Sequence, residues 1–422
     1  MEHDMLRRFG CALCALAFAL TALPTAAFAQ QPEEQAAVQQ SLSATDVREM
    51  QQADAAVTAL TGGSDYAQMT EDERTDAALQ QLDALTAQGL VKQGSVYTDA
   101  ENGMISFTYS CGALGGILLT DPEEENTAAL PELDESRLQE LAENKRVGTA
   151  AIYYAFDNTI NSTRYPYYAY MQTYWDSVGL QTDLDTTVTV SDLHRMGRYD
   201  LCILSTHGAY YTYEYGWLFK KTATEPLILL TERSDFWSDL RYGFDLLAHR
   251  VVKVNGMYAV NGDFFRSAYR GNGIVLSETC EFYGKNGHVD TSMADGLLAG
   301  GAKAVMGYVN NVYSVYSRSM LWAAVNRMIE GETLEQAVDY AKSIYGTDDI
   351  IWYNEQGGRR PHAAASYAML SGDRSAALPN PYTAADVDAA AEATHGIALL
   401  HKVYYTKGRQ SILPSLLLYK MR

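Results

Sequence analysis

The sequence predicts an α/β protein with a mostly parallel sheet flanked by helices, an acidic N-terminal α+β segment and a small C-terminal extension. Three observations predict it. Between residues 147 and 346, continuous apolar runs of strand length alternate with segments of helical period, as in a sheet covered on both faces. Charge divides the chain: residues 30–146 carry 22 acidic and 6 basic side chains, a net of −16, whereas residues 147–422 carry 28 and 24, a net of −4. The composition is globular, with 422 residues, 47% of them hydrophobic, and only 10 Pro against 32 Gly, so fibrous and wholly disordered classes are excluded. A formal charge of −20 also argues against nucleic-acid binding, which needs basic patches.

Residues 1–29 have the order of a secretory signal. Arg7 and Arg8 precede an apolar run over 11–23, then Pro24 and the small-residue triplet Ala27-Phe28-Ala29. Cleavage after Ala29 predicts an exported, secreted protein; an uncleaved anchor is the alternative. The cut removes Cys11 and Cys14 and leaves Cys111, Cys202 and Cys280, an odd number, so at least one thiol has no disulfide partner in its own chain. No later stretch is long and apolar enough to span a bilayer.

In the acidic segment, helical periodicity covers 44–60 and 70–90, the second opening with Thr70 and Glu73 at capping-box spacing. Strand-like runs at 95–98 and 104–109 flank Asn102-Gly103, and acidic stretches at 121–125 and 132–135 read as a linker. Lys145-Arg146 closes the segment at the charge boundary. That position suits a pro-segment removed from a zymogen at the dibasic pair, while a solvated accessory domain explains the acidity equally well.

Residues 147–346 form the main domain. Strands are predicted at 149–156, 187–190, 200–205, 226–231, 273–277 and 302–309. Helices are predicted at 167–178, briefly from Ser191-Asp192, and at 293–299, 319–330 and 333–345, the last capped by Thr333. Residues 347–422 form the extension, with a loop at 355–361, an Ala-rich helix at 384–393 and terminal strands at 403–418.

In parallel sheets chemistry gathers at the carboxyl ends of strands. One such end is Ser205-Thr206-His207-Gly208, where an imidazole leaves a buried strand into a glycine turn. The other is Ser277-Glu278-Thr279-Cys280-Glu281. A hydrogen-bonded turn histidine and a buried apolar cysteine are the ordinary explanations of each alone. Together they supply a thiol and the base that turns it into thiolate near pH 7.

The succession of strand with His207-Gly208, strand with Glu278 two residues before Cys280, and then Ala294-Asp295-Gly296-Leu297-Leu298-Ala299-Gly300-Gly301-Ala302-Lys303 resembles the caspase-like cysteine peptidases. Within them it is most similar to the gingipain and clostripain branch, with a legumain-like Glu-x-Cys. The resemblance covers about residues 147–346. It implies a caspase-hemoglobinase fold and an endopeptidase acting on polypeptides, with His207 as general base and Cys280 as nucleophile. The backbone N–H groups of Gly208 and Cys280 would form the oxyanion hole. It requires no cofactor and leaves open a structural calcium ion. Where such pockets accept Arg or Lys, a carboxylate lies at the floor; Asp157 and Glu278 are the candidates, with Arg164 the residue that would favour an acidic side chain instead. Glu281, Phe282 and Tyr283 depart from the small residues usual after the nucleophile, which keeps an inactive, peptide-binding relative in view.

Other readings have less behind them. Cys280, His288, His249 and His207 match no compact zinc spacing, and Gly271-Asn272-Gly273 precedes a strand, the reverse of a phosphate loop. Twelve of the 30 tyrosines lie between Tyr153 and Tyr215. They suit strand packing, or the adhesive or glycan-binding face of an unrelated α/β protein. The oligomeric state is not legible.

Overall fold

The computed structural model describes residues 41–120, 145–156, 165–215, 220–355, 363–383 and 385–386. The expected signal segment, both acidic stretches of the linker, Asp157, Arg164 and the C-terminal runs 387–393 and 403–418 lie outside the described residues. The chain divides after Ser41, and the α/β unit begins at Leu42.

Three strands come from the acidic segment: β1 (Tyr97–Asp99), β2 (Met104–Thr108) and β3 (Leu114–Leu118). The others are β4 (Gly148–Ala155), β5 (Leu180–Asp185), β6 (Leu201–Thr206), β7 (Gly208–Tyr215), β8 (Lys221–Arg233), β9 (Val251–Val254), β10 (Met257–Val260), β11 (Ile274–Ser277), β12 (Gly284–Lys285), β13 (His288–Val289), β14 (Ala304–Val309) and β15 (Tyr367–Gly372). They form two large sheets and a small hairpin, β12-β13, where the sequence suggests one sheet.

The first large sheet has the order β15-β14-β11-β6-β4-β5. Every pairing from β14 to β5 is parallel, and only the edge strand β15 runs the other way. The second has the order β1-β2-β3-β9-β10-β8-β7 and is antiparallel except between β3 and β9. The sheets are therefore mixed: six of the fifteen strands form the sheet with a parallel centre, and seven form the other large sheet. The strand expected at 187–190 is displaced: β5 comes earlier, and Thr189 instead caps a short helix, Val190–Leu193, through a capping box with Asp192.

The main helices are α1 (Ala44–Thr61), α2 (Glu71–Ala87), α3 (Tyr165–Ser177), α4 (Gly262–Ala268), α5 (Ser292–Ala299), α6 (Ser314–Ile329) and α7 (Leu334–Tyr345). The expected capping box is present on α2, where Thr70 Oγ1 accepts from Glu73 N and the Glu73 carboxylate accepts from Thr70 N. Helices α3, α6 and α7 cover one face of the parallel sheet through Met171, Trp175, Leu321 and Val338, packed on Ile152, Ile203 and Leu276. The opposite face, with Cys202, Leu204 and Val275, shares one core with α1, α2 and the second sheet. Among the described residues no helix is long and apolar enough to cross a membrane.

Packing does not stop at the boundary expected at 146/147. Strand β3 pairs with β9 through Gly115↔Lys253 and Gly116↔Val254, so the acidic segment supplies an edge of the second sheet. Beneath it lies a buried charge cluster. Lys253 Nζ, fully buried, is held by Asp239 at 2.8 Å and by Asp54 of α1. Tyr258 donates to Asp239 at 2.7 Å, Ser234 donates to Asp54 at 3.0 Å, and Tyr109 also donates to Asp54. Lys145-Arg146 is itself fastened: Lys145 Nζ donates to Pro381 O at 2.5 Å, and Asn380 Nδ2 donates to Arg146 O at 2.9 Å. A cut after Arg146 would thus nick a shared sheet, not free a separate body.

Buried charge sets two stability outcomes. Lys253→Met leaves two carboxylates facing each other without their cation, and is expected to cost about 3–5 kcal/mol at pH 8; urea unfolding that matches wild type would contradict this. Burial pushes the Glu225 carboxyl, which accepts from Asn261 Nδ2 at 3.0 Å, from its ordinary 4.5 to about 7, and Asp263 and Asp290 add to the rise. The native state then binds the proton more tightly than the unfolded chain, so this group costs nothing below about pH 4.5 and progressively more as pH rises through 7. Glu225→Gln keeps the acceptor and should be more stable than wild type by on the order of 1–3 kcal/mol at pH 8, with the difference vanishing near pH 4. A difference independent of pH would refute that origin.

Candidate active site

Strands β6 and β11 are neighbours in parallel register, from Leu201↔Ile274 to Leu204↔Ser277. Three residues beyond Leu204 is His207, and three beyond Ser277 is Cys280, so the register brings both to one level at one carboxyl edge. Local bonds hold the chains together past the last strand pair. Glu278 N donates to Leu204 O at 2.8 Å, and the hydroxyls of Thr206 and Thr279 lie 3.1 Å apart. Side chains alternate across a strand, and Ser205 and Glu278 both reach Tyr168 on the face covered by α3. His207 and Cys280, two residues on from each, return to that face. The His207 ring stands edge-on to Phe156, centroids 4.6 Å apart, and Cys280 packs against the same core.

Gly208 makes the approach feasible. A Cβ there would lie 2.0 Å from Cys280 O and 2.6 Å from Thr279 Cγ2, so only a hydrogen fits. The turn expected after His207 is absent. The chain passes directly into β7, and Leu229 N of β8 donates to His207 O at 3.0 Å. His207 is therefore the single residue at which the chain leaves the parallel sheet and enters the second one. Both His207 and Cys280 are half-buried and neither is sealed in, although Nε2 of the ring is screened from solvent.

The sulfur sits against a loop that sequence reasoning passes over. Val312 N lies 3.4 Å from Cys280 Sγ and Val312 O lies 3.8 Å from it. The loop is fixed by Asn310, left-handed at φ 65°. Its four polar groups are all engaged: the carbonyl accepts from Glu281 N, the amide donates to Gly284 O, Oδ1 accepts from Asn286 N, and Nδ2 donates to Ala365 O, each at 2.8 Å. Asp349 adds a brace by accepting from Tyr313 N at 3.3 Å and Ser366 N at 2.7 Å; burial raises its carboxyl to about 6 despite those two donors. Only the Asn-Asn pair ending a run of apolar residues hints at this in sequence.

Glu278, the candidate specificity carboxylate, is 6% exposed, and its Oε2 accepts from Tyr168 Oη at 2.7 Å, which in turn accepts from Ser205 Oγ at 2.6 Å. Burial and the Glu278 charge both hold the Tyr168 hydroxyl well above its usual range. The buried guanidinium of Arg318 covers the Tyr167 ring at 4.6 Å. Glu278 is thus buried and bonded to Tyr168. The other candidate, Asp157, is outside the described residues. Of the N–H groups near the sulfur, that of Glu281 is committed to Asn310, whereas Gly208 and Cys280, the expected oxyanion donors, lie in backbone contact. Among the described residues no group of three or more His, Cys, Asp or Glu is arranged to hold a metal ion.

Gly208→Ala tests the geometry. The added methyl must push Cys280 O aside, so the variant is expected to be destabilised by about 2 kcal/mol or more and to label more slowly at Cys280 with iodoacetamide. Wild-type melting and labelling would show that the two strand ends are not in contact.

No protein-family model matches the chain, and no curated protein is similar to it at a significant level. Its chemistry is therefore read from its own residues.

Proposed function

We propose that this protein is an exported, caspase-like cysteine endopeptidase in which Cys280 attacks the scissile carbonyl and His207 is the base. The observation that carries this is the common level of His207 and Cys280 at the carboxyl edge of adjacent parallel strands. In the reaction the imidazole takes the thiol proton and the sulfur adds to the carbonyl carbon. The oxyanion collapses to a thioester as the amine leaves with the proton from the imidazolium. Water, deprotonated by the same ring, then hydrolyses the thioester and restores the thiol.

Cleavage after Arg or Lys is the preferred specificity. Glu278, two residues before Cys280, supplies a carboxylate, and the chain's charge of −20 attracts cationic polypeptides. A second reading, an inactive relative that binds peptides in the same notch, draws on the bulky Glu281-Phe282-Tyr283 stretch after the thiol.

Thiol labelling and cleavage assays separate the two. Burial pushes the Cys111 and Cys202 thiols up, and Cys202 donates to Met196 O in the core. A peptidase predicts that Cys280 alkylates about tenfold or more faster than either near pH 7, and that a peptide library is cut after basic residues. Cys280→Ala and His207→Ala should each lower kcat by about a thousandfold or more. Slow, equal labelling of all three thiols with no cleavage would remove the peptidase reading in favour of binding.

A further inference from the structure

The loop that meets the Cys280 sulfur is bonded at both ends to chain that lies far off in sequence. At its start, Asn310 Nδ2 donates to Ala365 O at 2.8 Å. At its end, Tyr313 N donates to Asp349 Oδ2 at 3.3 Å, while Asp349 Oδ1 accepts from Ser366 N at 2.7 Å. Asp349 N donates in turn to Ser366 O at 2.9 Å, so one residue grips both partners. Asp349 opens the short helix Asp349–Glu355, and Tyr353 of that helix stacks on the Tyr313 ring, centroids 4.6 Å apart and planes 7° from parallel. Tyr313 N and Val312 O belong to one peptide group. In a trans peptide the N–H and C=O point in opposite directions. Holding the N–H at Asp349 therefore aims the carbonyl the other way, where Val312 O accepts from Cys280 Sγ at 3.8 Å.

A fully buried carboxylate is expensive, and among the described residues no cation pairs with this one. The ionisable groups facing it are Asp348 of the same turn, Tyr316 of α6 and Tyr308 of β14, none of them cationic. An apolar side chain would fill the space at lower cost. What the carboxylate adds is two acceptor oxygens for two separate N–H groups. We propose that Asp349 is a positioning residue that orients the peptide between Val312 and Tyr313, and with it the Cys280 sulfur, by accepting from Tyr313 N and Ser366 N at once. The proposal rests on the peptidase reading. Mild acid should undo the grip. Burial raises the carboxyl to about 6, and a proton added there turns one acceptor oxygen into a donor facing an N–H. The loop is then held while Asp349 is ionised and released as pH falls through 6.

The test compares Asp349→Asn, Tyr353→Ala and wild type on the full chain, with melting curves to show that each variant is folded. Asparagine has the same shape but one acceptor oxygen. Cys280 alkylation by iodoacetamide at pH 8 should fall about tenfold in that variant, with kcat lowered at nearly constant KM. The wild-type rate should show a step near pH 6 beyond ordinary thiol titration, and Asp349→Asn should abolish it. Tyr353→Ala loosens the same turn from its ring side and leaves the carboxylate in place, so it should slow alkylation while keeping the step. It decides the matter if Asp349→Asn does not fold. An Asp349→Asn chain that alkylates as fast as wild type, or more slowly with the step retained, overturns the positioning role and leaves the peptidase reading standing; so does a wild-type rate in Tyr353→Ala where only that variant folds. A wild-type Cys280 no more reactive than Cys111 or Cys202 overturns both.

Discussion

The site depends on one steric constraint, the approach of Gly208 to the Cys280 carbonyl. Parallel neighbours lie about 4.8 Å apart while their ladder lasts, and beyond the last pair nothing in sheet geometry obliges two chains to stay together. Here they remain in contact for three further residues because a hydrogen at Gly208 replaces a Cβ that would lie 2.0 Å from Cys280 O, and because Thr206 meets Thr279. In-register pairing is thereby carried past the end of the ladder. The ladder from Leu201 to Ser277 sets the level, and the glycine carries it to His207 and Cys280.

The second sheet explains why His207 can be held so firmly without a turn. Strands β6 and β7 are joined by that residue alone, and its carbonyl is paired to β8. The imidazole is mounted at the joint of two sheets that share one core. The second sheet is anchored in turn by Lys253 between Asp54 and Asp239. That cluster is costly to desolvate and stabilises only while complete, which makes α1 and the acidic segment part of the scaffold under the site. The acidity evident in the sequence is a property of the segment's surface; its apolar positions belong to the common core.

Much of the parallel sheet was legible because strands buried on both faces are written as unbroken apolar runs, as in Leu201–Thr206 and Ala304–Val309. The second sheet was harder to read. Strand β7 is half tyrosine, and β9 and β10 span only four residues each. Their hairpin did carry a signal: Asn255-Gly256 between VVKV and MYAV, both residues at positive φ, is the pairing favoured for a two-residue hairpin. His207 and Cys280 were legible as strand ends. Val312 and Asp349 were not, and Asn310 showed only as half of an Asn-Asn pair, because their meeting with the Cys280 loop depends on tertiary register.

Backbone strain in the described residues is concentrated where that register has to be held. Five non-glycine residues there have positive φ, and three of them, Glu281, Asn286 and Asn310, belong to the bonded cluster beside Cys280. Such conformations persist only where the surroundings over-determine them, and they collect at sites whose geometry must not relax. Asn255, outside that cluster, is accounted for by its hairpin. The cluster beside the sulfur has no such local excuse, since a simpler loop could close β11 onto β14 without left-handed Glu and Asn. What the strained residues gain is direction. Asn310 points its carbonyl at Glu281 N and its side chain at Asn286 and Ala365, leaving the next turn to present Val312 N–H to the thiol. The notch is thus braced on the sulfur's side by the Asn310 bonds and, through Gly208, sterically tight on the imidazole's side, the arrangement that the proposed nucleophile and base would need to share one proton.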